Sequence, residues 1–392
     1  MSTQPAFAPW PHFDAEQIAA ASAVLASGKV NYWTGEEGRQ FEQEFADWSN
    51  CRHAVAMANG SLALSAAYLA VGLAAGDELI TTPRTFVATA SSAVLLGARP
   101  VFADVDPDSQ AITAETIAPL ITPRTKAIAV VHLAGWPAAM AAILELARSH
   151  GLAVIEDCAQ AHGARLDGRS VGSFGDVAAW SFCQDKIMTT AGEGGMVSTN
   201  RSELWDTIWS FKDHGKTQEA LSREASREGF RWLHDRFGSN FRLSEPQAAI
   251  SRIQLGRMAD WQAARRRHAE TLRHALDGLN AVRLPWPGAG LEHAWYKFYA
   301  FVRPESLASD WSRDRILAEI NDAGVPAFSG SCSEVYLERC FQDAGLAPAG
   351  RLPVARELGE TSLMFLVHPT INAEQMARAA GVIRSVLQRA CR

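Results

Sequence analysis

Short apolar runs alternate with helical spacings through the first half of the chain. Residues 61–73, 86–96 and 138–150 read as helices, and 78–81, 100–103, 126–131 and 153–156 read as strands. Such alternation predicts right-handed crossovers and an α/β fold with a mostly parallel, buried sheet. Two further strands, 177–181 and 195–198, flank a glycine-rich turn. Residues 244–255 read as a helix with Ser244 as N-cap and Pro246 in its first turn. The pattern then changes. Residues 257–279 form an Arg-rich helical stretch with a solvated face, followed by a strand at 299–303 and helices near 313–323 and 373–387. The expected organisation is a large α/β domain over 1–256, including an N-terminal arm, and a smaller α+β domain over 257–392. Residues 216–237 are charged and aperiodic and read as a mobile loop.

Composition narrows the class without choosing a function. The chain has 392 residues, enough to bury a large core without metal or disulfide staples. With 47% hydrophobic and 20% charged residues it is neither disordered nor a coiled coil. Its 37 basic and 43 acidic residues leave a net charge of −6, which argues against a nucleic-acid partner. The six cysteines contain no C-x-x-C pair and scatter as reduced thiols do. Residues 1–10 lack the basic and apolar parts of a signal peptide, and no apolar run reaches the ~20 residues of a membrane span. A cytoplasmic protein without a membrane partner is expected.

Candidate chemistry gathers at strand ends. Asp157 closes the run Ala153-Val154-Ile155-Glu156-Asp157, and ligands of open α/β sheets sit beyond the C-terminal ends of strands. A carboxylate there can hold a cation, a ribose hydroxyl or a protonated heterocycle, or it can simply cap a turn. Lys186 lies beyond the run 177–182 and is followed by Gly192-Glu193-Gly194-Gly195. A solvated surface lysine and a tight connection are the plain alternatives. The glycines are not a G-x-G-x-x-G, which argues against a nicotinamide dinucleotide. Asn59-Gly60-Ser61 opens a helix at Leu62 and suits a phosphate, although Ser61 could be an ordinary N-cap. Phe86 can stack on a flat ring or pack in the core. Together these residues supply a phosphate cradle, a stacking ring, an acid for a ring nitrogen and an amine for a Schiff base, the requirements of pyridoxal phosphate.

The chain also resembles the DegT/DnrJ/EryC1/StrS family of sugar aminotransferases, a branch of the fold-type I pyridoxal-phosphate enzymes. The resemblance rests on residues 59–64, 85–89, 156–163, 181–186, 192–195 and 240–245, in that order and spacing. It implies the fold-type I architecture, with Lys186 as the Schiff-base lysine and Asp157 as the partner of the ring nitrogen. It implies that Gln160 stands near the ring hydroxyl and that Phe86 stacks on the ring. Ser61, the Leu62 backbone and Ser181 match phosphate ligands. Asn240 matches a phosphate ligand given by the neighbouring subunit, hence a homodimer with shared active sites. The implied substrates are a nucleotide-linked keto sugar and, as amino donor, glutamate. Many members carry Asn where Ile187 stands and Thr where Ser61 stands. The rivals are a pyridoxamine-dependent sugar dehydratase, which would carry His in place of Lys186, and a cofactor-binding regulator without turnover. A third is a zinc site on Asp157, Cys158 and His162. Tyr32, Trp33, His214 and residues 328–332 are expected to line the sugar pocket.

Overall fold

The computed structural model describes residues 7–223 and 231–392. At its centre is a seven-stranded sheet made of β1 (His53–Met57), β2 (Glu78–Thr81), β3 (Arg99–Phe102), β4 (Thr125–Val131), β5 (Ala153–Asp157), β6 (Val177–Ser181) and β7 (Gly195–Thr199). Across the sheet the order is β1-β7-β6-β5-β4-β2-β3. The pairs from β3 to β6 are parallel, whereas β7 runs antiparallel to both β6 and β1. The mostly parallel sheet is therefore as the alternation of strands and helices predicts. The antiparallel strand has a local cause. Residues 182–194 contain no helix to carry the chain back over a sheet face, so it returns beside β6 and pairs Gly195 with Ser181.

Helices of this part of the chain include α1 (Ala15–Ser27), α2 (Glu37–Trp48), α3 (Gly60–Ala70), α4 (Ala88–Leu95), α5 (Met140–His150), α6 (Ser202–Lys212) and α7 (Glu245–Gly256). Ser244 closes a capping box with Gln247 at the start of α7, and Pro246 sits in its first turn. At α3 the cap is Asn59, whose side chain accepts the Leu62 N–H, so Ser61 is not the N-cap and its hydroxyl stands in the first turn.

Only Arg257 separates α7 from α8 (Met258–Leu276). The solvated face expected for this stretch is incomplete, because Arg265 and His268 are buried. Beyond it lie β8 (Val282–Arg283), β9 (Phe298–Val302), α9 (Arg313–Asp322), β10 (Ala327–Phe328), β11 (Ser362–Phe365) and α10 (Ala373–Ala390). The strands form an antiparallel sheet ordered β8-β9-β11-β10. A separate apolar cluster that includes Leu272, Phe298, Ile316, Phe365 and Ile383 packs beneath it. The segment 216–237 is more regular than a mobile loop: Gln218–Ser222 is helical and Lys216 bridges His234. Its residues 224–230 lie outside the described residues. No helix among the described residues is long and apolar enough to cross a membrane.

Candidate active site

Strand β5 ends in two carboxylates that point to opposite faces, because side chains alternate along a strand. Glu156 is buried and accepts the N–H groups of Gly172, Phe174 and Gly175 at 2.8, 2.8 and 2.7 Å. His132 Nε2 lies 3.0 Å from it, and the Ala138 N–H donates to His132 Nδ1, so the ring proton sits on Nε2 and faces the carboxylate. Burial alone would raise the Glu156 pKa; His132 and the turn amides outweigh it and hold it below the usual carboxylate value. Glu156 anchors a turn. Asp157 faces a cavity instead. Its Oδ2 accepts the Thr89 hydroxyl at 2.7 Å and its Oδ1 the Ala159 N–H at 3.1 Å. Burial pushes its pKa up, and these bonds with the charge of Lys186 offset only part of that. A buried carboxylate left in this state favours a cationic donor brought into the cavity.

The cavity has a volume of about 550 Å³. Ser61, Leu62, Phe86, Asp157, Gln160, Ser181 and Lys186 all line it. At one end α3 presents its first turn, whose N–H groups have no intrahelical acceptor. The start of this helix is pressed against β6: a Cβ on Gly60 would stand 2.6 Å from Ser181 Cβ. The Ser61 and Ser181 hydroxyls and the first-turn amides make a donor set suited to a phosphate. Leu62 is less available than expected, because its N–H is bonded to Asn59 Oδ1 at 2.9 Å. Gln160 Oε1 accepts the Ala134 N–H at 2.8 Å, which leaves its amide nitrogen to the cavity. Phe86 is 65% exposed, so it covers the cavity and is not packed in the core.

Lys186 stands at the other side, with Nζ 3.7 Å from Asp185 Oδ1 and 5.2 Å from the Tyr296 ring centroid. The Tyr296 hydroxyl donates to Asp185 Oδ2. Burial would raise the pKa of Asp185, but Lys186, Tyr296 and Lys297 hold it below the usual carboxylate value. Trp10 Nε1 donates to the Lys186 carbonyl at 2.9 Å, and Gln254 of α7 receives the Thr189 N–H at 2.9 Å, so the lysine-bearing turn is fastened from two sides. Ile187 is fully buried with Phe41, Phe45 and Phe182. This departure from the family pattern therefore serves the core. A pyridoxal phosphate fits the residues present: donors at one end, an amine at the other, and between them a buried acid short of a charge partner.

Other expected residues lie elsewhere. Asn240 is exposed, does not line its own chain's cavity, and bridges Asp213 through its backbone. Trp33, His214 and residues 328–332 are likewise absent from the cavity wall. Tyr32 is buried, with its hydroxyl donating to Glu42 at 2.9 Å and Lys212 Nζ 3.6 Å from its ring centroid, so it belongs to the core. The zinc reading fails on geometry. His162 lies 5.5 Å from the Trp180 and Phe182 rings with neither nitrogen bonded. Among the described residues the one grouping spaced for a metal is His132, Glu156 and Cys158, whose acid and imidazole are already hydrogen-bonded. A groove of about 810 Å³ beside α1, α2 and α7 is larger, but its Arg252 is paired with Glu37 and Glu44. Thr89 and Asp185 line the cavity and Tyr296 holds Asp185; the sequence assigned none of the three a role. The pair of hydroxyls in Thr85-x-x-x-Thr89, which lie 2.9 Å apart in the fold, is the available signal for the first.

The model of the DegT/DnrJ/EryC1/StrS aminotransferase family matches residues 11–384. A UDP-N-acetyl-3-dehydro-alpha-D-glucosamine 3-aminotransferase of Acidithiobacillus ferrooxidans is 38% identical over 358 residues, 91% of this chain and 90% of that one. A dTDP-3-amino-3,4,6-trideoxy-alpha-D-glucose transaminase of Streptomyces venezuelae is 34% identical over 96% of this chain and 93% of its own. The solved aminotransferase from Psychrobacter cryohalolentis superposes with a TM-score of 0.96 at 52% identity, covering 98% of this chain and 99% of its own.

Proposed function

The chain belongs to the DegT/DnrJ/EryC1/StrS aminotransferase family, whose members depend on pyridoxal phosphate. From that premise we propose that it converts a keto sugar carried on a nucleotide into the amino sugar, with glutamate as amino donor. The observation that carries this reading is the pairing of an amine, Lys186, with a buried acid, Asp157, on one cavity. The nucleotide-sugar relatives support the substrate class. Lysine at position 186 speaks against the dehydratase, which would carry histidine there. The reading extends to a cytoplasmic homodimer, to a large unit ending at residue 256, and to an amino sugar destined for a polysaccharide, glycan or antibiotic.

When bound, the cofactor supplies an aldehyde to be held by an amine and a protonated ring that withdraws electrons from the reacting carbon. Lys186 Nζ is the holding amine and, when free, the base that takes and returns a proton at that carbon. Asp185 and Tyr296 keep Nζ on the cavity side. Asp157 keeps the ring nitrogen protonated, with Thr89 and the Ala159 N–H fixing its orientation. Ser61, Ser181 and the first turn of α3 hold the phosphate, and the Leu62 N–H joins them only by being shared with Asn59. Phe86 shields the ring face from water, and Gln160 donates to the ring hydroxyl. Asn240 serves the phosphate of the neighbouring subunit. A panel of nucleotide keto sugars, read by cofactor absorbance after loading with glutamate, tests the activity. Borohydride reduction should fix the cofactor on Lys186, and an adduct on another lysine would overturn the site.

A further inference from the structure

A second pocket, of about 220 Å³, adjoins the active cavity. Trp10, Asp185, Lys297 and His368 contribute to its wall, and Asp185 lines both spaces. Lys186 and Lys297 stand against the same Tyr296 ring, with Nζ at 5.2 and 4.7 Å from its centroid. The pocket therefore begins within one aromatic ring of the reacting amine.

The charges around it do not balance. Asp185 is the acid of the group, and it is already engaged by Lys186 and by the Tyr296 hydroxyl. Lys297 has no hydrogen-bond or ion-pair partner among the described residues. Arg265 lies behind the Trp10 wall, 5.2 Å from that ring. It is 1% exposed, donates only to the Trp295 and Tyr296 carbonyls at 3.3 Å, and has no acceptor for Nε or Nη2. The histidine in the wall responds to this excess. Burial, then Arg265 and Lys297, push the His368 pKa down to about 3. Burial also lowers Lys297 to about 8; the charge of Asp185 opposes this, and Arg265 and Lys186 add to it. Three cations, Lys186, Lys297 and the buried Arg265, thus share the one carboxylate of Asp185, and a buried excess of positive charge is costly unless a ligand brings an anion.

We propose that this pocket seats the side-chain carboxylate of the amino donor and that Lys297 binds it. The volume admits a five-carbon dicarboxylic amino acid and not a nucleotide, and its position lets the donor's amine reach the Lys186 end while its far carboxylate meets Lys297. The inference rests on the aminotransferase reading above and names a residue for its donor specificity.

The test uses the cofactor-loaded protein, with glutarate as an unreactive dicarboxylate titrated by calorimetry, and single-turnover rates with glutamate and with alanine. Lys297→Gln should weaken glutarate binding and raise the KM for glutamate by at least about tenfold, with kcat within about twofold and alanine unaffected. Lys297→Arg should restore most of the glutarate affinity. Unchanged glutarate binding in Lys297→Gln, or no glutarate binding by the unmodified protein, would overturn the proposal. So would a loss confined to the nucleotide sugar, which would assign Lys297 to the diphosphate. If glutarate binds through Lys297 but no amino donor reacts, the pocket stands and the aminotransferase reading falls. If donors react and Lys297→Gln changes nothing, the reverse holds.

Discussion

Thr89 and the Ala159 N–H each give Asp157 a hydrogen bond, and neither brings it a full charge. In cofactor-free protein its carboxyl titrates above the unfolded value of 3.8. The folded state then holds the proton to higher pH than the unfolded state does. Stability contributed by this group is present below 3.8 and is lost as pH rises toward the folded value. Asp157→Asn keeps a side chain of the same size that can serve both neighbours and removes the charge. The cofactor-free variant should melt no lower than the unmodified protein at pH 7, while kcat falls at least ~100-fold, about 2.7 kcal/mol of transition-state stabilisation. Calorimetry and half-reaction rates check the two halves, and near-normal turnover would remove Asp157 from the chemistry. Histidines carry the opposite dependence. Burial pushes His162, His293 and His368 down to about 3. The unfolded chain takes up these protons below about 6.5 and the folded chain does not, so stability is full above 6.5 and is lost as pH falls toward 3. Removing one of them with His162→Leu should flatten the unfolding free energy, from urea titrations, against pH by about 1.4 kcal/mol per pH unit between about pH 6 and 4.

At the scale of elements, the cradle depends on α3 and β7 meeting without side chains between them. A Cβ on Gly195, at the start of β7, would stand 2.5 Å from the Asn59 carbonyl oxygen and 2.9 Å from Gly60 N. Gly195→Ala must therefore displace the first turn of α3 from Ser181. A loss of ~1–3 kcal/mol in stability is expected, together with weaker cofactor binding in a fluorescence titration. Gly256→Ala is the control. Its Cβ would meet nothing within 4 Å at the end of α7, so the melting temperature should hold or rise slightly with cofactor affinity unchanged. Parallel loss in both variants would mean that glycine-to-alanine changes act through the chain's flexibility and not through the cradle.

At the scale of the whole molecule, the proposed sharing of sites would give each chain most of one site and, through Asn240, a fragment of another. Asn240 is exposed beside a hub in which buried Asp213 accepts Trp33 Nε1 at 2.9 Å, Arg242 at 2.8 Å and Lys216 at 3.1 Å. That hub fixes the backbone around Asn240 on the outside of the molecule, where a second copy would have to reach it under the proposed reading. Two-fold symmetry gives each hybrid of a Lys186→Ala chain and an Asn240→Ala chain one intact site and one doubly damaged site. Mixing the two inactive variants after subunit exchange should recover roughly a quarter of the unmodified activity. No recovery, or a fully active monomer in sedimentation, would refute sharing.

The order of strands and helices between residues 78 and 199 could be read from the chain because apolar runs of four to seven residues separated by helical spacings have few other solutions. The carboxylate at the end of β5 and the lysine after β6 follow from the same pattern, since strand ends are where such sheets bind ligands. Other parts were hidden. Strand β1 is His-Ala-Val-Ala-Met, in which alanine favours a strand little, and β11 follows directly on the helix Pro353–Thr361 with no turn residue between them, so neither stands out as a strand; α1 buries only Gln17, so no apolar stripe marks it. The family resemblance chose Asp157 over Glu156, but composition and periodicity give no reason for the choice; the reason, that Glu156 holds a turn while Asp157 faces the cavity, exists only once β5 is placed in the sheet. Tyr296, Lys297 and Trp10 reach Lys186 across 110, 111 and 176 positions of chain, and only folding sets such distances. Local pattern decides which residues can form an element; which charges meet, and which are left without a partner, is decided by the packing of elements that are remote in sequence.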